Sequence, residues 1–228
     1  MMEKIVLFSG AGISAESGLK TFRDPDGLWK RYSLEDLATP GAWSRNPSLV
    51  LEFYNARRRQ LGEVEPNAAH RAVAELEEQF AVTVVTQNVD DLHERAGSTN
   101  VVHLHGQLNQ ARSTMDSDLI LDLGFRDIVL GDLCPKGSQL RPNIVWFGEN
   151  VNNLEVAAAA IEAADKVLVV GTSLSVYPAA GLIHHASAQA EKVMVSMDLD
   201  SEPQRFTWLQ GKAAELVPAV VETWLSGG

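Results

Sequence analysis

Short runs of aliphatic and β-branched residues punctuate this chain at 5–8, 82–85, 101–104, 144–147, 167–170 and 193–195. Most are nearly continuous in apolarity and do not alternate. A strand with one wet face alternates; a continuous run marks a strand buried on both faces, as in a parallel sheet covered by helices. Helical patterns separate the runs. Residues 67–80 place Ala69, Val73, Leu76 and Phe80 on one face, behind a Pro66-Asn67 start signal. Residues 154–164, 179–190 and 213–225 read the same way. The alternation predicts an α/β fold, a Rossmann-like doubly wound parallel sheet.

Two stretches break the alternation. Residues 19–65 carry loops and helices without a strand signal, and 107–143 are polar and weakly periodic. Both exceed an ordinary connection. The 228 residues then form a single domain: a core of about 1–18, 81–106 and 144–228, and a small inserted module from about 19–80 and 107–143. Nineteen Lys+Arg against thirty Asp+Glu leave a net charge of −11. That balance argues against nucleic acid and against an anionic membrane surface, both of which need basic residues. No run approaches about 18 apolar residues, and the first residues lack a signal-peptide pattern, so a cytoplasmic protein is expected. The one cysteine, Cys134, permits no internal disulfide and no cysteine-rich zinc site.

The first run leads into Gly10-Ala11-Gly12-Ile13-Ser14-Ala15, a G-x-G-x-x-A turn. In a dinucleotide site the first glycine permits the tight turn, the second lets backbone approach a pyrophosphate, and the following helix offers N–H groups. A plain glycine turn is the alternative. No strand ending in Asp or Glu follows about 20 residues on; Asp198, after the 193–195 run, is the best candidate for a ribose hydroxyl, or it starts a turn. His105 ends a strand run, and an unperturbed imidazole pKa of about 6.5 suits a general base.

The string Gly10 to Gly18 continues to Thr21-Phe22-Arg23-Asp24, then Thr86-Gln87-Asn88-Val89-Asp90, Leu104-His105-Gly106 and Gly171-Thr172-Ser173-Leu174. In that order these motifs resemble the sirtuins, NAD-dependent protein deacylases, over nearly the whole chain. The resemblance implies NAD as cofactor, acyl-lysine proteins or peptides as partners, and a monomer. It implies that Gly10, Ala11, Gly12, Ala15, Gly171, Thr172 and Ser173 line the pyrophosphate and ribose. Phe22 and Arg23 would lie on a cofactor loop. Gln87, Asn88 and Asp90 would line the nicotinamide pocket, His105 would be the general base, and Asp198, Lys212 and Ala213 would meet the adenosine. Asp198 departs from the family, where Asn is more usual. His103, His70, His93, His184 and His185 are read as structural.

Tyr54 and Arg57, i and i+3 on a helical pattern, share a face, where a phenol and a guanidinium can hold a carboxylate. They resemble the Tyr-x-x-Arg pair of the subgroup that removes succinyl and malonyl groups, and Ala38 resembles its small residue. A solvated basic face across Arg57-Arg58-Arg59 is the other reading. Val145, Trp146, Phe147, Gly148 and Glu149 resemble the family's substrate strand. Most sirtuins hold a zinc in the 107–143 region with two Cys pairs. Here only Cys134 is present, so no metal is expected, and the module must be held by apolar packing. The predicted function is NAD-dependent removal of succinyl, malonyl and acetyl groups from lysine, giving nicotinamide, free lysine and O-acyl-ADP-ribose. An NAD glycohydrolase or ADP-ribosyltransferase, and a non-catalytic NAD or ADP-ribose sensor, are the alternatives.

Overall fold

The computed structural model describes residues 2–19, 33–199 and 205–227. Its main sheet is built from β1 (Lys4–Ser9), β2 (Ala81–Thr86), β3 (Val101–His103), β7 (Lys166–Val170), β8 (Glu191–Ser196) and β9 (Thr207–Gln210) in the order β3-β2-β1-β7-β8-β9. Every pairing in it is parallel. One face packs on α5 (Ala68–Glu75) and α8 (Ala213–Leu225) through Ile5, Leu7, Val73, Leu168, Val217 and Trp224. The other packs on α7 (Leu154–Glu162) and a 3-10 turn (Ala179–His185) through Val6, Phe8, Ile161, Val167, Val169 and Met194. Successive residues of β1 thus enter opposite cores, which is why its apolarity is continuous.

The chain leaves β1 toward β2 and β3 on one side and returns as β7, β8 and β9 on the other. The order therefore reverses between β1 and β7. In open α/β sheets the crevice at such a reversal, beyond the carboxyl ends of the strands, is where ligands bind.

Above that edge lies a second unit. It comprises α2 (Leu34–Leu37), α3 (Pro40–Arg45), α4 (Pro47–Glu63) and an antiparallel sheet β5-β4-β6 of β4 (Gly106–Ser113), β5 (Ile120–Asp122) and β6 (Leu140–Ile144). Here the structure departs from the sequence reading. The 144–147 run does not join the parallel sheet; β6 ends at Ile144, and β4 to β6 arise from the weakly periodic 107–143 stretch. Short bulged strands carry little period-2 signal, and the β4–β6 register shifts between Gln107 and Ala111. Strand β9 and the 3-10 character of 179–185 were also not legible in sequence.

Arg58 corrects the picture of a solvated basic face. It is fully buried, donating from Nε to the Leu108 carbonyl at 2.6 Å and from Nη1 to Asn55 Oδ1 at 2.7 Å, which pins α4 to β4. Arg59 turns outward to Asp127.

The β1 and β7 loops interlock. Gly10 donates to the Val170 carbonyl at 3.0 Å and Gly12 to the Gly171 carbonyl at 2.8 Å. Gly171 has φ +64°, and a Cβ there would meet Ile13 N at 2.2 Å and Gly12 Cα at 2.8 Å. Gly171→Ala combines backbone strain with a main-chain clash, so an expected cost is about 3 kcal/mol. Gly131 also has positive φ, +96°, but nothing within 4 Å; Gly131→Ala should cost only about 1 kcal/mol. Urea denaturation of both variants checks the difference, and equal losses would contradict the interlock.

Candidate active site

The loops after β1, β2, β3 and β7 converge at the sheet's reversal. Gln87 ties them: its backbone amide donates to the Ser9 carbonyl at 2.9 Å, and its Nε2 donates to Thr172 Oγ1 at 3.1 Å. Small residues at Gly10, Ala11, Gly12, Gly171 and Ser173 line this seam, and Ala15 lies exposed beside it. The expectation of free helix N–H groups needs correcting. α1 (Gly12–Ala15) is a single turn, and the amides of Gly12, Ile13 and Ser14 already donate to Gly171, Gly10 and Ala11 carbonyls. A single turn aligns few peptide dipoles, so close backbone approach is what the loop offers.

Asn88 is held on three sides. Its amide donates to Thr86 Oγ1 at 3.0 Å, and its Nδ2 donates to the Gly10 carbonyl and Ser14 Oγ, both at 3.2 Å. None of these bonds uses Oδ1, an acceptor suited to a hydroxyl. Asp90 accepts from Ser14 Oγ at 3.0 Å and from the Leu92 amide at 3.3 Å. Burial pushes its carboxyl upward, against those bonds and the nearby His103. His105 shares a hydrogen bond with the Gln87 carbonyl through Nδ1 at 2.9 Å. A carbonyl only accepts, so Nδ1 carries the proton and Nε2 is left with its lone pair. Burial lowers the His105 pKa, partly countered by that bond. The ring is thus held as a neutral base.

Sequence reasoning missed the support beneath these groups. Ser14 Oγ gives its proton to Asp90 and receives from Asn88 and from His70 Nε2, the last at 3.4 Å. His70 Nδ1 accepts from the Asn67 amide at 3.3 Å, which closes a capping box on α5. A helix cap is thus wired to the pocket floor. Asn67 Nδ2 reaches the Ile13 carbonyl at 2.7 Å. His93 meets Ser9 Oγ at 3.0 Å, and Ser9 donates to Thr86 Oγ1 at 2.8 Å. Ser14 was visible inside the glycine string, and the Pro66-Asn67 start signal marked the cap. Their convergence is a tertiary fact.

Tyr54 and Arg57 lie on α4 under the second sheet, next to buried Ala38 at the end of α2 (Leu34–Leu37). Trp146 Nε1 donates to the Tyr54 hydroxyl oxygen at 3.1 Å, so that oxygen is oriented with its own proton still to give. Burial raises the Tyr54 pKa and lowers that of Arg57, which feels both Tyr54 and Asp90. The acyl and nicotinamide candidates are therefore electrostatic neighbours.

The 145–149 segment is mixed. The Val145 amide donates to the His105 carbonyl at 2.9 Å and that of Phe147 to the Ala38 carbonyl at 2.9 Å. Phe147 and Gly148 are exposed. Trp146 is 2% exposed, and Glu149 points inward, its Oε2 accepting from Arg112, Arg141 and the Trp146 amide at 2.8–2.9 Å. These two residues hold the segment and do not line a groove. Asp198 is exposed beyond β8, Lys212 precedes α8 and pairs with Glu215 at 3.5 Å, and Ala213 is buried. Phe22 and Arg23 lie outside the described residues.

The donor set fits a dinucleotide: backbone and small residues along one seam, with hydroxyl, carboxamide, carboxylate and imidazole groups at one end. It does not fit the family's zinc. Among the described residues no group of three or more His, Cys, Asp or Glu could hold a metal. Where zinc ligands would stand, Ser113 Oγ accepts from the Met115 and Asp116 amides, both at 3.1 Å, and meets Ser138 Oγ at 2.7 Å. Cys134 Sγ meets Ser138 Oγ at 3.1 Å, and Lys136 pairs with Asp116 at 2.6 Å. Among the described residues, no helix is long and apolar enough to cross a membrane.

The Sir2 family profile matches residues 10–178. A Helicobacter pylori protein named NAD-dependent protein deacylase is 54% identical over 83% of this chain and 82% of its own. A Vibrio vulnificus protein of the same name is 44% identical over 97% of this chain and 94% of its own. A solved Sir2 homologue–NAD complex superposes with a TM-score of 0.88 at 39% identity, covering 99% of this chain and 91% of that one. With site loops, sheet order and sequence in agreement, this chain belongs to the Sir2 family.

Proposed function

We propose that this chain is an NAD-dependent protein-lysine deacylase, acting on acyl-lysine proteins or peptides as a cytoplasmic monomer, with preference for acidic acyl groups. The observation that carries the deacylase reading is His105. It is a neutral imidazole at a strand end, oriented by the Gln87 carbonyl, beside the Asn88 and Asp90 loop. NAD, when bound, would supply a ribose carbon that nicotinamide leaves and a ribose hydroxyl oxygen that takes the acyl group. The chain's own residues would divide the work. Gly10, Ala11, Gly12, Thr172 and Ser173 would bind the pyrophosphate side. Asn88 Oδ1 would accept from a ribose hydroxyl, and Asp90 would stabilise positive charge that develops near it. His105 Nε2 would take a ribose hydroxyl proton. No enzyme nucleophile is required.

The acidic-acyl preference rests on Tyr54 and Arg57, one helical turn apart, with the Tyr54 hydroxyl held by Trp146. A half-buried guanidinium can meet a succinyl carboxylate through a charge-assisted, bidentate pair, which partial burial strengthens. The glycohydrolase alternative would need no peptide; the ordered 145–148 segment, tied to His105 and Ala38, favours a peptide substrate.

His105→Ala should lower peptide-dependent nicotinamide release about a thousandfold, with the circular dichroism spectrum unchanged. Near-wild-type turnover would remove the assignment. For the wild type, the acid limb of kcat/KM should fall below the usual imidazole value of about 6.5, because burial disfavours the protonated ring; a limb above it would place the base elsewhere. Arg57→Met should lower kcat/KM for a succinyl-lysine peptide about a hundredfold and change that for an acetyl-lysine peptide less than about threefold. Equal losses would argue for a purely structural Arg57.

A further inference from the structure

His103 ends β3 two residues before His105 and is buried. Its ring makes two short contacts: Nε2 to Glu94 Oε1 at 2.7 Å, and Nδ1 to the Asn88 carbonyl at 3.1 Å. The Asn88 carbonyl can only accept, and Glu94 as a carboxylate likewise only accepts. A neutral imidazole has one N–H, so it would leave one bare nitrogen facing an oxygen lone pair. Only the doubly protonated ring satisfies both. The ring cannot turn over to escape, because that would exchange both nitrogens for carbons. The sequence reading of His103 as a plain structural histidine therefore omits its charge.

We propose that His103 is a positioning residue for the deacylation reaction: a buried imidazolium, paired with Glu94 of α6 (Leu92–Ala96), whose second N–H fixes the Asn88 carbonyl and with it the loop of residues 87–90. The consequence follows from the neighbours. The Asn88 amide and Nδ2 are held from the opposite side by Thr86, Gly10 and Ser14. His103 closes the remaining side, so that Oδ1 faces the site with no slack in its backbone. The cation also offsets the burial of Asp90, and so helps to keep that carboxylate charged. His105 leans on the next carbonyl back, that of Gln87. The two histidines thus grip consecutive peptide groups of one loop, one as a cation and one as a neutral base.

The charged and titratable groups that face His103 are Glu94 and His93 from α6 and Asp90 from the β2 loop. Gln107 Nε2 lies 3.5 Å from the same Glu94 oxygen, and Asn153 Nδ2 donates to the His103 carbonyl at 3.2 Å. Burial alone would lower the His103 pKa, and His93 would do nothing to raise it while neutral. Glu94 by bond and charge, the Asn88 carbonyl and Asp90 outweigh burial, and the net shift is upward. A raised histidine contributes its stabilisation below its unfolded pKa and loses it as pH rises through the folded one. The loop should therefore loosen on the alkaline side, where His105 stays in its active form.

This inference rests on the deacylase reading, and the experiment separates the two. Ring nitrogens of the uniformly ¹⁵N-labelled full chain are followed by NMR across pH, with His103→Gln for assignment. At pH about 7, His103 should show two protonated nitrogens and His105 one. Glu94→Gln should lower the His103 titration midpoint by about one unit or more. Peptide-dependent nicotinamide release should then show its alkaline limb moving down with that midpoint while the acid limb stays in place. His103→Gln should lower kcat about tenfold, more than it changes KM for NAD. A neutral His103 ring at pH 7 overturns the proposal, as does a midpoint that ignores Glu94→Gln. A shifted midpoint with an unmoved alkaline limb leaves the ion pair but removes the positioning role. A wild type that releases no nicotinamide refutes the deacylase reading, and the positioning role with it, while the ring's charge is still measured.

Discussion

Everything at this site hangs on the contact between two glycine turns. Gly12 donates across to the Gly171 carbonyl, and neither residue has room for a Cβ: one at Gly12 would fall 2.7 Å from Gly171 Cα. This brings the ends of β1 and β7 together at the point where the strand order reverses. Strand β2 is then tied in by Gln87, which reaches Ser9 with its backbone and Thr172 with its side chain. The seam is lined by small residues, because side chains of ordinary size would force the two loops apart.

Beneath this seam most of the polar groups are paired with one another. Ser14 receives two bonds and gives one; Asn88 is held by backbone and side chain; Asp90 has a partner on each oxygen. Buried polar groups are expensive unless paired, and paired ones are rigid. That is how a loop can present Asn88, Asp90 and His105 in fixed positions without a metal or a disulfide. The α5 capping box takes part in it through His70, so the helix that packs the core also steadies the pocket.

The upper unit is held differently. In this unit the chain ties its turns with Ser113, Cys134, Ser138 and the Lys136–Asp116 pair. Its centre adds the buried Arg58 and a stack in which Arg141 lies 3.6 Å over the Trp146 ring while Glu149 binds both arginines, Arg112 and Arg141. Apolar packing of Ile128, Leu140 and Cys134 contributes as well. The sequence suggested packing alone; the hydrogen-bonded part was not legible, because serines and arginines carry no periodic signal.

The sequence by itself determined the parallel sheet, since runs such as 5–8 and 167–170 can be buried only on both faces, and it determined the family, since Gly10 to Gly18, Gln87 to Asp90 and Leu104 to Gly106 form a rare ordered string. It also marked His105 and the Tyr54 and Arg57 pair. Only the tertiary structure decided that Gly12, Ile13 and Ser14 amides are already used, that Glu149 and Trp146 face inward, that Arg58 is a buried clasp, and that His103 lies between two acceptors. The division has a physical cause. Backbone preference and burial leave a local pattern of period and punctuation. Which hydrogen-bonding partner a polar side chain meets depends on residues tens of positions away, and no local pattern records that.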